Sequence, residues 1–107
     1  MNNRFMRILV FFDLPVKTQK ERKVYTEFRR ELIKDGYYMI QYSVYGRICN
    51  GTDSVDKFVK HLESFTPQTG SVRILTVTEK QYASILIIAG KKKTEEKDIK
   101  SIQLSFF

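Results

Sequence analysis

A ferredoxin-like α+β sandwich is the fold class this sequence predicts, on three observations. Short β-rich apolar runs recur along the chain. Two amphipathic stretches of helical period separate them, and turn or stop residues sit between the elements. The resulting order is strand, helix, one or two strands, helix and two strands. It suggests a βαββαβ sheet with helices on one face, followed by an additional C-terminal strand.

The first element is RILVFFD, Arg7 to Asp13, a continuous apolar run too short for a helix and stopped by Leu14-Pro15. Thr18 and Glu21 then have capping-box spacing. Val24, Phe28 and Leu32 recur at i, i+4 and i+8, with Tyr25 and Ile33 widening the stripe, and Asp35-Gly36 closes the helix. In YYMIQYSVYGRI, Tyr37 to Ile48, Ile40, Tyr42, Val44 and Ile48 alternate with Gln41, Ser43, Tyr45 and Arg47. Periodicity leaves open whether this is one bent strand or two, and Gly46 is a candidate bulge.

Thr52, Asp53 and Ser54 are alternative N-caps for the second helix, whose stripe is Val55, Phe58, Val59, Leu62 and Phe65 and whose stop is Pro67. Ser71 to Thr78 and Ser84 to Ala89 read as two further strands joined by a polar turn, EKQY, with Gly90 ending the second. A charged stretch, KKKTEEKDIK, leads to SIQLSFF, where Ile102, Leu104 and Phe106 alternate with polar positions. Residues 1–90 are thus expected to form the domain, and 91–107 a charged linker and a strand in need of a sheet edge.

Composition narrows the function classes. Nineteen Lys and Arg against twelve Asp and Glu give a net charge of +7 and a pI near 9.6, a balance that favours polyanions and nucleic acid above all. Cys49 is the only cysteine, which excludes an intrachain disulfide and a thiolate metal cluster and fits a buried thiol in a reducing compartment. No cleavable leader or membrane-length apolar run is visible, so a cytoplasmic protein without membrane contact is expected.

Asp13 is the sharpest site candidate. An acid at the end of a buried strand is awkward for packing but suited to holding Mg²⁺ through oxygen, although one carboxylate is not a metal site. From the residues alone, the commoner role for an Asp beside Pro is to cap the loop before Thr18. His61 lies outside the stripe of its helix and reads as solvent-facing, and Ser43 has no histidine partner in sequence to activate it. Lys17, Lys20, Arg22 and Lys23 crowd the start of the first helix, where backbone N–H groups already favour a phosphate. Lys91, Lys92 and Lys93 form a second basic cluster.

VFFDLP, QYSVYG after the first helix, LTVTEKQY after the second and a C-terminal strand set apart from the domain together resemble the CRISPR-associated protein 2 family. The resemblance spans nearly the whole chain and rests on the order and spacing of these segments. It implies a symmetric homodimer with crossing C-terminal strands, in which Ile102, Leu104, Phe106 and Phe107 supply the dimer or partner contact. It also implies a partner, the CRISPR-associated protein 1 integrase, with which the dimer captures double-stranded DNA fragments for insertion into a CRISPR array. Both basic clusters fall where the family commonly carries basic residues, which points to sequence-independent contact with the DNA backbone. The alternative it implies is a Mg²⁺-dependent endonuclease on RNA or double-stranded DNA, its metal shared by Asp13 and the Asp13 of a second copy.

Overall fold

The computed structural model describes residues 5–90. In chain order the elements are β1 (Phe5–Asp13), α1 (Gln19–Lys34), β2 (Tyr38–Gln41), β3 (Val44–Asn50), α2 (Thr52–Phe65), β4 (Ser71–Thr78) and α3 (Glu79–Ala83). The four strands form one antiparallel sheet in the order β2-β3-β1-β4, the split βαβ topology expected from the sequence.

Alternation along β1 sorts its side chains between two faces. Ile8, Val10 and Phe12 join Phe28 and Leu32 of α1 and Val55 and Leu62 of α2 in the core. Tyr45 and Cys49 of β3 enter the same cluster because they pair with Val10 and Met6, and residues directly opposite in a ladder share a face. Phe12 lies edge-on to Phe28, their centroids 5.2 Å apart, so aromatic bulk seats α1 on the end of β1.

The capping box that opens α1 forms as the sequence predicts: Glu21 N–H donates to Thr18 Oγ1 at 3.1 Å, and Thr18 N–H donates to Glu21 Oε1 at 2.9 Å. α2 differs from expectation. Gly51 occupies its N-cap without a side-chain bond, so none of Thr52, Asp53 and Ser54 caps it.

The stretch 37–48 resolves into two strands, β2 and β3, around a two-residue turn at Tyr42 and Ser43. Gly46 is not a bulge. It is paired within β3, and a Cβ there would lie 2.8 Å from Ile40 Cδ1 and 3.2 Å from Leu9 Cδ2, so glycine serves close packing. The irregularity falls instead in β2, between Met39 and Gln41.

Two expectations fail at the end of the described chain. EKQY is not a turn but most of α3, because Thr78 and Gln81 form a second capping box that starts a helix directly off β4. Ser84 to Ala89 is not a strand: residues 84–90 carry no helix or strand. An apolar run becomes a strand only where an edge accepts its hydrogen bonds, and α3 carries this one away from β4. Its side chains stand in solvent, Leu86 at 86% and Ile88 at 97% exposure. The charged stretch and the tail with Ile102, Leu104, Phe106 and Phe107 lie outside the described residues.

On the face of the sheet away from α1 and α2, Arg7 is fully buried. Its Nε and Nη2 donate to the two carboxylate oxygens of Glu79 at 2.7 and 2.8 Å, Nη1 donates to Tyr38 Oη, and the guanidinium lies 4.3 Å from the Tyr82 ring centroid. Burial works against its charge, but the Glu79 hydrogen bond and the neighbouring Glu79 and tyrosine oxygens prevail and raise its pKa. This cluster fastens α3 to β1.

Candidate functional site

Asp13 ends β1 opposite Ser71, the first residue of β4, and its side chain is exposed. Two neighbours fix the backbone there. Leu14 is buried and anchors the chain immediately after the acid. Gly70 has φ +80 and lies so close that a Cβ would come within 2.6 Å of the Asp13 carbonyl oxygen, so only glycine lets the loop before β4 lie against the tip of β1. Sequence reasoning missed Gly70, whose signal was a lone glycine opening a strand.

The capping role open to Asp13 is filled by other groups. Glu21 takes the Thr18 N–H, and Arg22 Nη1 donates to the carbonyls of Val16 and Lys17 at 3.2 and 2.8 Å. Among the described residues no hydrogen bond or ion pair engages the Asp13 carboxylate. Nor is there, among those residues, a group of three Asp, Glu, His or Cys able to hold a metal ion. The described residues therefore offer Mg²⁺ a single carboxylate at Asp13, and the ion fits there if a second copy contributes its own.

Lys17, Lys20, Arg22 and Lys23 come together around the capped start of α1, with Lys17, Lys20 and Lys23 exposed. Arg22 spends part of its guanidinium on the loop, which makes it a brace for Lys17 as well as a cation. Lys20, Lys23, Thr26 and Arg30 share a shallow groove along α1. Arg30 was missed because it lies seven residues beyond Lys23, apart from the cluster at the helix start but on the same helix face. Lys91, Lys92 and Lys93 lie outside the described residues.

His61 faces away from this site: its Nδ1 is 3.0 Å from Asp35 Oδ2 and its ring packs on Phe65. Ser43 does sit beside β1, with its carbonyl accepting the Phe12 N–H at 3.1 Å. Cys49 is buried as expected, and burial pushes its thiol pKa up.

Fold and site together define a small, basic, ferredoxin-like protein with an exposed acid at the tip of its first strand. Comparison with known proteins makes this specific. The profile described as CRISPR associated protein Cas2 matches residues 6–85. The chain is 53% identical over 102 residues to a CRISPR-associated endoribonuclease Cas2 of Acidovorax ebreus, covering 95% of this chain and 100% of the relative. It is 49% identical to one of Ligilactobacillus salivarius, covering 81% and 86% of the two chains. A relative of the same name in Campylobacter jejuni is 39% identical over all of this chain and 75% of its own. A crystal structure of cas2 superposes with a TM-score of 0.57 at 19% identity, covering 84% of this chain and 92% of that one, a likeness of fold. This chain belongs to the CRISPR-associated Cas2 family. No helix among the described residues is long and apolar enough to cross a membrane.

Proposed function

We propose that two copies of this chain form a DNA-binding scaffold for CRISPR adaptation, which bridges dimers of the CRISPR-associated protein 1 integrase and holds double-stranded DNA while it is inserted into an array. The observation that carries this reading is the cluster at the start of α1. Lys17, Lys20 and Lys23 are all exposed, none forms an ion pair with a described residue, and a braced loop and a capped helix end set their spacing. Such cations grip phosphates irrespective of base sequence. The dimer is supported by apolar surface that one copy leaves uncovered: Phe11 and Leu75 on the sheet and the segment Ile85 to Ile88 beyond α3. Lys91, Lys92 and Lys93 belong to the same proposed DNA surface, and Ile102, Leu104, Phe106 and Phe107 to the proposed dimer or partner contact.

A second reading, a metal-dependent endonuclease on RNA or double-stranded DNA, is favoured by the unengaged Asp13 carboxylate and by the name of the relatives, CRISPR-associated endoribonuclease Cas2. Paired Asp13 carboxylates would hold Mg²⁺, which when bound supplies a water acidic enough to act as nucleophile and charge for the transition state. The protein itself contributes the fixed tip of β1, where Leu14 and Gly70 hold the acid, and lysines that would position the phosphate.

The test is Asp13→Ala, assayed on one preparation for array integration with the co-purified integrase and for Mg²⁺-dependent cleavage by the dimer alone. The scaffold reading expects most integration to survive. Loss of integration by a folded, dimeric, partner-bound mutant would defeat it, and robust wild-type cleavage abolished in the mutant would promote the nuclease.

A further inference from the structure

The β2–β3 turn presents an aromatic side chain that neither the core nor the reading above uses. Tyr42 is 75% exposed. It is the first of the two turn residues, and the second, Ser43, has φ 64, a left-handed conformation that glycine or asparagine normally supplies and that strains a serine. The Gln41–Val44 pair closes the turn, and the Phe12 N–H holds the Ser43 carbonyl from β1. Near it stands Tyr25 of α1, packed on Phe12 with centroids 6.0 Å apart, its pKa raised by burial and by the neighbouring Tyr42. A large ring is thus displayed to water on a turn tied to β1.

Its position gives the display a purpose. β1 pairs with β3 through Phe11 and Val44, and the next bond joins Phe12 to Ser43, so the turn containing Tyr42 lies beside the last residue of β1, Asp13. Lys17 and the capped start of α1 follow on the same end of the sheet. Phosphate-binding cations, an acid and an exposed aromatic therefore share one end of the domain.

We propose that Tyr42 is a stacking platform for an unpaired nucleobase, whose neighbouring phosphates are held by the lysines at the start of α1. The inference rests on the nucleic-acid reading above and goes beyond it by naming a base-contacting residue and a strand preference. An unpaired base offers an open π-face to an exposed ring, whereas a base within a duplex has both faces covered by its neighbours. A turn whose backbone is already held adds little backbone ordering cost on binding.

Binding of the full-length protein to three fluorescent probes tests this: a single-stranded DNA containing 2-aminopurine, an RNA of the same sequence, and the DNA duplex. Tyr42→Ala is expected to weaken binding of one or both single strands about tenfold, to abolish the quenching that stacking causes in 2-aminopurine, and to leave duplex affinity within about twofold. Tyr42→Phe, which keeps the ring, is expected to behave as wild type, and the DNA and RNA arms show which sugar the site accepts. Equal losses on duplex and single strand, unchanged single-strand binding, or a Tyr42→Ala protein of altered oligomeric mass would each overturn the assignment. Wild-type protein that binds no probe would overturn the nucleic-acid reading with it. Wild-type protein that binds duplex, with single-strand binding indifferent to Tyr42, would overturn the stacking role alone.

Discussion

Tyr37 carries a buried hydroxyl oxygen that finds no hydrogen-bond partner among the described residues. Burial raises its pKa well above the ordinary phenol value, with the nearby Asp35 and Cys49 adding to the rise and Arg47 opposing it, so the group stays neutral and simply lacks a partner. Removing an unsatisfied buried oxygen while keeping the ring relieves a desolvation cost of roughly 1 kcal/mol. Tyr37→Phe is therefore expected to raise the midpoint of urea unfolding without changing its slope. A lowered midpoint would show that the hydroxyl has a bonding partner in solution. The charged residue Arg7 behaves oppositely, because its guanidinium is buried with its partners in place.

The joint between α3 and the sheet depends on those partners. Removing one member of a buried, bidentate ion pair leaves the other charge stranded, at a cost of about 3 kcal/mol, whereas replacing both by apolar residues costs far less. Glu79→Ala should accordingly destabilise the domain strongly, and adding Arg7→Met should recover much of the loss, as read by urea unfolding of the four proteins in the cycle. Additive losses would mean that the pair contributes little as a unit. Elements governed by local periodicity were legible in the sequence: Thr18 with Glu21 announced α1, Pro67 ended α2, and RILVFFD formed the central strand. Those decided by tertiary context were not. Ser84 to Ala89 has the composition of a strand but pairs with no edge among the described residues, and the burial of Arg7 depends on Glu79, 72 residues away. At the site, Asp13 and the lysines were legible from type and position. Gly70 and Tyr42 were not, because close approach and exposure appear only once the strands are paired.

Across the whole molecule, the uncovered apolar surface and the excess of positive charge make separate demands. The first predicts self-association: light scattering at micromolar concentration should give twice the 12.7 kDa chain mass, and a stable monomer would contradict the dimer. The second predicts a polyanion held through discrete cations rather than by a diffuse attraction of the +7 charge. Counterion release distinguishes these, because removing a cation that neutralises one phosphate lowers the slope of log affinity against log salt by roughly one. The most direct measurement is that slope for duplex DNA, taken with the wild-type protein and with a Lys17→Gln, Lys20→Gln, Lys23→Gln variant of the same mass in solution. A scaffold that grips phosphate at the start of α1 predicts a weaker and shallower salt dependence for the mutant, alike on unrelated DNA sequences; an unchanged slope would contradict it.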